Sequence, residues 1–108
     1  MKRVTLDRYV VDTLMADLVG HDRSPSSFVV YLFLWGRTGG HPRRGASASH
    51  REIAEETGLS KSAVQAALRH LAGRKLVTST RTSATATPVH RVHRPWRRTP
   101  SRARATPG

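Results

Sequence analysis

The sequence predicts a mainly α fold in which three to four helices are followed by a two-stranded β hairpin. Apolar residues recur at helical spacing in successive segments, and a run of β-branched residues follows the last of them. The length of 108 residues corresponds to one domain. Hydrophobic residues make up 37% of the chain, which is enough for a compact helical core.

Residues 5–19 are predicted to form the first helix, with Gly20 ending it. Its apolar stripe contains Tyr9, Val10, Leu14 and Leu18. This stripe fits two interpretations, a part of the domain core or the seam of a homodimer, and the sequence leaves both open.

The second helix is predicted to begin at Ser24-Pro25, because serine caps helices and proline is tolerated at the first helical position. The apolar run 28–35 follows, with Gly36 as a stop. The glycine-rich segment 36–48 is predicted to be a loop, with a short strand near Ala46-Ser47.

Two further helices are each preceded by a capping serine. Ser49 and the glutamate three residues later form a capping box for a helix over 50–57. Gly58 provides a turn where a positive φ is needed. Ser60 caps a helix over 61–73, whose buried stripe is predicted to be Val64, Ala67, Leu68 and Leu71.

The opposite face of the helix 61–73 is polar or cationic and is predicted to face DNA. Lys61, Ser62, Gln65 and Arg69 are predicted to point outward, with Ser60 and Ala66 at the edges of this face. Gln65 can bond adenine through two hydrogen bonds, and Arg69 can bond guanine or a phosphate. The methyl group of Ala66 can contact that of thymine.

The hairpin is predicted from a strand over 76–80, a turn over 81–84 and a returning strand over 86–92. Together these segments divide the chain into an N-terminal helix (1–23), a domain (24–98) and a basic disordered tail (99–108).

Positive charge is concentrated in the second half of the chain. The net charge is +12, and residues 1–56 hold eight basic and seven acidic residues, which leaves +1. Residues 57–108 hold eleven basic residues and no acid. Such an imbalance favours a polyanionic partner, since each neutralised phosphate releases counterions.

Residues 25–92 resemble a winged helix-turn-helix domain of the bacterial transcription-regulator type. The matching positions are Ile53, Ala54, Gly58, Leu59, Ser60, Val64, Ala67, Leu71 and the Leu76-Val77 strand start. Thr57 departs from the pattern, where an apolar residue is commoner. The resemblance implies that the helix 61–73 enters the major groove and that the hairpin is a wing whose Arg81 contacts the DNA backbone.

The sequence therefore predicts sequence-specific binding of duplex DNA, as in a transcriptional regulator. The basic residues Arg91, Arg94, Arg97 and Arg98 are expected to add phosphate contacts. Two alternatives remain: a plasmid or phage replication or partition protein, and a winged-helix adaptor that binds RNA or protein. A homodimer, with two recognition helices one DNA turn apart, stays open.

Other classes of function find little support in the sequence. Neither a catalytic triad nor a paired-carboxylate site is apparent, so an enzyme is not expected. The chain has no cysteine and its six histidines are scattered, so no metal, cofactor or small-molecule ligand is expected, and the histidines are predicted to lie on the surface. Trp96 is expected to pack near the first helix. No membrane span is apparent, so a cytoplasmic, nucleoid-associated protein is expected.

Overall fold

The computed structural model describes residues 2–97, which form four helices and one three-stranded antiparallel sheet. The N-terminal helix consists of the segments Val10–Leu14 and Ala16–His21. The other elements are α1 (Pro25–Thr38), β1 (Ala46–Ser47), α2 (His50–Thr57), α3 (Lys61–Gly73), β2 (Val77–Thr80) and β3 (Val89–Val92). Within residues 2–97, no helix has both the length and the apolar character that crossing a bilayer requires.

The N-terminal helix differs from the predicted helix over residues 5–19 at both ends. Thr5 is not helical, because its carbonyl accepts a hydrogen bond of 2.8 Å from Trp35 Nε1. The helix continues through Gly20 to His21, since the backbone N–H of Asp22 still reaches the carbonyl of Asp17, at 2.8 Å. Glycine weakens a helix by about 1 kcal/mol relative to alanine but does not have to end it. Both segments have wide, π-type turns.

Helix α1 begins at Pro25 as predicted, but the predicted stop at Gly36 is wrong. The helix continues to Thr38 and ends at Gly39, whose φ of 70° lies in the left-handed region. The N–H of Gly39 bonds to the Trp35 carbonyl at 2.7 Å, which satisfies one of the last helical acceptors. Ser24 occupies the cap position, but its hydroxyl contacts that of Ser27, at 2.5 Å, and does not cap the helix.

The turn between α2 and α3 is held by local hydrogen bonds, and both predicted capping serines are confirmed. Ser49 Oγ accepts from Glu52 N at 3.0 Å, and Ser60 Oγ accepts from Ala63 N at 3.1 Å. Gly58 has a φ of 83°, as the predicted turn requires. Thr57 donates to the Ile53 carbonyl and accepts from Leu59 N, so its hydroxyl group bridges the turn.

The sheet has three strands in the order β1-β3-β2, one more than the predicted two-stranded hairpin. The short strand predicted near Ala46-Ser47 is confirmed and pairs with β3. The hairpin strands are shorter than predicted, with Val77 opposite Val92 and Thr80 opposite Val89. Strand β3 begins only after Pro88, because proline has no N–H to donate to a neighbouring strand.

The core lies around α1 and draws on every helix. Its fully or almost fully buried members include Val10, Leu14, Leu18, Val30, Tyr31, Leu34, Ile53, Val64, Leu71, Val77 and Val92. The apolar stripe of the N-terminal helix therefore belongs to the core of the same chain, apart from Tyr9, which stays partly exposed. This segment and the predicted domain over residues 24–98 share one core.

Trp96 packs beside the N-terminal helix, as predicted. Its ring stacks on that of Tyr9, with centroids 4.5 Å apart, and lies nearly parallel to Trp35 at 6.5 Å. Trp96 Nε1 donates to Asp7 Oδ2 at 2.9 Å. The last described residues are thereby fixed against the N-terminal segment.

Candidate nucleic-acid interface

A concave groove lies between the N-terminal ends of α2 and α3 and the loop that joins β2 to β3. It is lined by Ser49, His50, Arg51, Lys61, Gln65, Arg81, Thr85, Ala86, Thr87 and Pro88. None of these residues is acidic. We refer to this set of residues as the basic groove.

Three of the predicted DNA-contacting residues meet in the basic groove. Lys61 is the first residue of α3, and Gln65 follows one turn later on the same face. Both are exposed. Arg81 approaches from the end of β2, and its Nη1 donates to the Ala84 carbonyl at 3.2 Å. This bond orders the start of the loop and holds the guanidinium group near the groove.

The pKa of His50 is lowered, in part by the positive charge of the basic groove. Partial burial lowers this pKa, and the charges of Arg81 and Lys61 lower it further. The two cations are therefore near enough to disfavour another positive charge on the imidazole ring. A bound anion at this position would face an attractive field from the same groups.

His90, on β3, is fully buried, which corrects the prediction that the histidines lie on the surface. Its Nε2 donates to the Ala48 carbonyl at 2.8 Å, so Nδ1 of the neutral ring accepts from Ser79 Oγ, at 2.7 Å. One imidazole thus links β3 to β2 and to the end of β1. Burial lowers the pKa of His90, although the bond to Ala48 acts in the opposite direction.

The remaining predicted residues of α3 are exposed but do not line the basic groove. They are Ser62, Ala66 and Arg69, together with the cap residue Ser60. The Ser60 hydroxyl accepts from Ala63 N and lies 3.2 Å from Ser62 Oγ. Its place in the structure is therefore that of a helix cap. Arg69 lies one turn beyond Gln65 on the same exposed face.

Among the arginines expected to add phosphate contacts, the described ones, Arg91, Arg94 and Arg97, do not line the basic groove. Arg91 Nη1 donates to the Arg43 carbonyl at 2.7 Å, on the side of β1. Arg97 binds Asp7 through Nη2 at 2.6 Å and Nε at 2.8 Å. Arg94 is partly buried, and its Nε has no hydrogen-bond partner. Arg98 and the predicted tail over 99–108 lie outside the described residues.

Carboxylates pair with cations elsewhere on the surface, and one of them, Glu55, pairs with Arg51 of the basic groove. The ion pairs among the described residues are Arg8–Asp12, Arg37–Glu52, Arg51–Glu55, Arg74–Asp17, Arg74–Asp22 and Arg97–Asp7. The rings of His21 and His70 also contact the Asp22 carboxylate, at 2.9 and 2.8 Å. Hydrogen bonds from His21 and His70, with Arg74, lower the pKa of Asp22 to about 2 against the opposing effect of burial. Burial also opposes ionisation of Asp7, but the bonds from Arg97 and Trp96 prevail and lower its pKa. Lys61 and Arg81 take part in none of these pairs.

Sequence reasoning missed the contribution of α2 and of the loop to the basic groove. His50 and Arg51 line it because α2 begins beside the N-terminal end of α3. The capping serine before α2 marked that helix start, but it carried no information about which loop would face it. Residues 85–88 complete the groove from the opposite side.

Compared with models of protein families, with curated proteins and with solved structures, the chain matches none. Among the described residues, no three histidine, aspartate or glutamate side chains are grouped so that they could hold a metal ion.

Proposed function

We propose that this chain binds duplex DNA in a sequence-specific manner, as a transcriptional regulator with a winged helix-turn-helix domain does. The observation that carries the proposal is the basic groove, in which Lys61, Gln65 and Arg81 come together and no lining residue is acidic. In this proposal the N-terminal half of α3 enters the major groove, and the loop 81–88 is the wing on the phosphate backbone.

The local structure around α3 supports this mode of binding. Helices α2 and α3 are joined by a tight turn at Gly58, and the hairpin β2–β3 follows α3 directly. Lys61 and Gln65 project from the first turns of a helix that is buried on its opposite face through Val64 and Leu71. A helix so supported can present polar side chains to base edges without exposing its apolar stripe.

The test is selection from randomised duplex DNA, carried out at two salt concentrations with the full chain. We expect one sequence motif to be enriched and binding to weaken as salt increases, because phosphate contacts release counterions. Salt-sensitive binding without an enriched motif would refute base reading. Preference for structured RNA over duplex DNA at equal salt, or no binding to nucleic acid, would refute the proposal as a whole.

Replacing Gln65 by alanine is expected to relax sequence preference and to leave non-specific affinity unchanged. A bidentate contact to adenine contributes about 1–3 kcal/mol of discrimination against the wrong base. The measurement is the ratio of Kd values for the selected duplex and a scrambled duplex. Thr13→Ala, an exposed change to alanine on the N-terminal helix and away from the groove lining, is the control. Equal loss of affinity for both duplexes on Gln65→Ala would contradict the assigned role.

We also propose that two copies of the chain pair through the exposed side of the N-terminal helix. Val11, Met15 and Val19 recur every four residues there and are 49%, 40% and 37% exposed. Residues 1–29 hold four basic and four acidic residues, so this segment is neutral while the chain carries +12. A neutral face adds little electrostatic repulsion between two basic copies, and pairing would cover exposed apolar surface.

Met15→Glu is expected to convert a dimer into a monomer, because it places a charge on the exposed apolar face formed by Val11, Met15 and Val19. The measurement is sedimentation equilibrium, with and without the selected DNA. Thr13→Glu is the control, since Thr13 is exposed on the same helix but is not part of the face formed by Val11, Met15 and Val19. Sedimentation of the unmodified chain as a monomer under both conditions would rule out the pairing.

A further inference from the structure

A second basic surface is formed by the loop between α1 and β1. His41, Arg43 and Arg44 line an open depression there. Arg91 joins them from β3, because its Nη1 donates to the Arg43 carbonyl at 2.7 Å. We refer to these four residues as the sheet-edge patch.

The loop that carries the sheet-edge patch is fixed at both ends by glycines packed against larger side chains. Gly40 has a φ of 81°, and a Cβ atom there would lie 2.4 Å from Trp35 Cζ2. A Cβ atom on Gly45 would lie 2.5 Å from Val89 Cγ1. Thr38 is fully buried, and its hydroxyl accepts from Gly40 N at 3.2 Å. The arginines are therefore presented by a backbone of defined shape.

The cationic groups of the sheet-edge patch have no carboxylate to balance them. All seven acidic residues of the chain lie within the described residues, and none forms an ion pair with Arg43, Arg44 or Arg91. Cationic groups gathered on one surface repel one another in the unbound protein. An anion with several charges in a row relieves that repulsion, and arginine is well suited to phosphate oxygens.

The sheet-edge patch and the basic groove are connected through β3. Pro88 lines the groove, and Arg91 follows three residues later along β3. A strand rises about 3.3 Å per residue, so the two positions are about 10 Å apart. Each DNA strand carries one phosphate for about every 3.4 Å of helix axis. The separation therefore corresponds to a few phosphates along the same duplex.

We infer that the sheet-edge patch binds phosphates of the same DNA duplex, outside the segment that the basic groove contacts. The ligand is the phosphodiester backbone, so these contacts add affinity without reading bases. This inference rests on the proposed function, since it needs a duplex held in the basic groove.

The experiment measures Kd against salt concentration on the selected duplex, at a length of about two helical turns. Arg43→Gln with Arg44→Gln is expected to reduce the slope of log K against log salt by about 1.8, or about 0.9 for each lost phosphate contact. Between about 50 and 200 mM salt, affinity of the unmodified chain should then fall about tenfold more than that of the double variant. The enriched motif is expected to stay the same.

Two comparison variants make the result specific. Lys2→Gln with Arg3→Gln removes the same net charge from exposed positions in the neutral N-terminal segment and is expected to leave the slope unchanged. Lys61→Gln with Arg81→Gln tests the basic groove. An unchanged slope for the Arg43/Arg44 variant, beside a reduced slope for the Lys61/Arg81 variant, would overturn the inference and leave the proposed function standing. No duplex binding by the unmodified chain would overturn both.

Discussion

Replacing Lys61 and Arg81 together by glutamine is expected to lower affinity for every duplex, whatever its sequence. Each side chain lies in the basic groove and has no carboxylate partner among the described residues. A hydrogen bond to a charged group contributes about 1.5 kcal/mol or more, so losing two should raise Kd by about a hundredfold. Filter binding or anisotropy at fixed salt measures the change.

The control for this double variant must lose the same charge from a different surface. Lys2→Gln with Arg3→Gln lowers the net charge from +12 by the same two units. If net charge alone governed binding, both double variants would weaken it equally, and the assignment of the groove would be wrong. We expect the Lys2/Arg3 variant to bind within about threefold of the unmodified chain, since long-range effects are screened beyond about 10 Å at 0.1 M salt.

Replacing His90 by alanine is expected to destabilise the fold severely. The change leaves a cavity and removes the partner of the buried Ala48 carbonyl and of Ser79 Oγ. Substitutions that delete a large buried side chain typically cost about 3–5 kcal/mol, and a buried unpaired acceptor adds to that. Urea unfolding measures the loss. His41→Ala, at an exposed histidine, should stay within about 0.5 kcal/mol of the unmodified chain.

The same histidine is expected to make stability depend on pH. Burial lowers the pKa of His90 in the folded chain, whereas the unfolded chain keeps the ordinary value of about 6.5. The unfolded state therefore binds the proton first on acidification, so the free energy of unfolding falls as pH drops from about 6.5 toward the lowered pKa. His90→Gln, which does not titrate, should show a smaller fall than the unmodified chain. Equal pH profiles would contradict this role of His90.

The elements that sequence reasoning located best are those with local start and stop signals. Ser49, Gly58 and Ser60 act on residues within four positions of themselves, and all three have the predicted roles. Local signals are wrong at Gly20 and Gly36, which lie inside helices, and the Ser24 side chain does not cap α1. Other errors arose where a distant partner decided the outcome. Thr5 stays outside the first helix because Trp35, thirty residues later, uses its carbonyl. The third strand also depends on long-range pairing between β1 and β3.

The residues of the candidate site likewise include some that local sequence predicts and others that only long-range packing brings together. Lys61 and Gln65 follow from the periodicity of α3 alone, because the buried stripe fixes the face that points outward. The loop 85–88 and the residues 50–51 join them only through the packing of the hairpin beside α2. The sequence groups Arg91, Arg94, Arg97 and Arg98 as phosphate contacts because they are close along the chain. In the structure Arg91 and Arg97 have separate partners, the Arg43 carbonyl and Asp7.

The ion pairs of Asp17 and Asp22 with Arg74 tie the start of the chain to the far end of α3. The N-terminal helix also contributes Val10 and Leu18 to the core, and both are fully buried. Opening of the N-terminal helix would therefore release the C-terminal end of the helix that presents Lys61 and Gln65. In hydrogen exchange the two helices should behave as one cooperative unit. A truncation before residue 24 that abolished DNA binding would thus report unfolding of α3 and could not map a DNA contact.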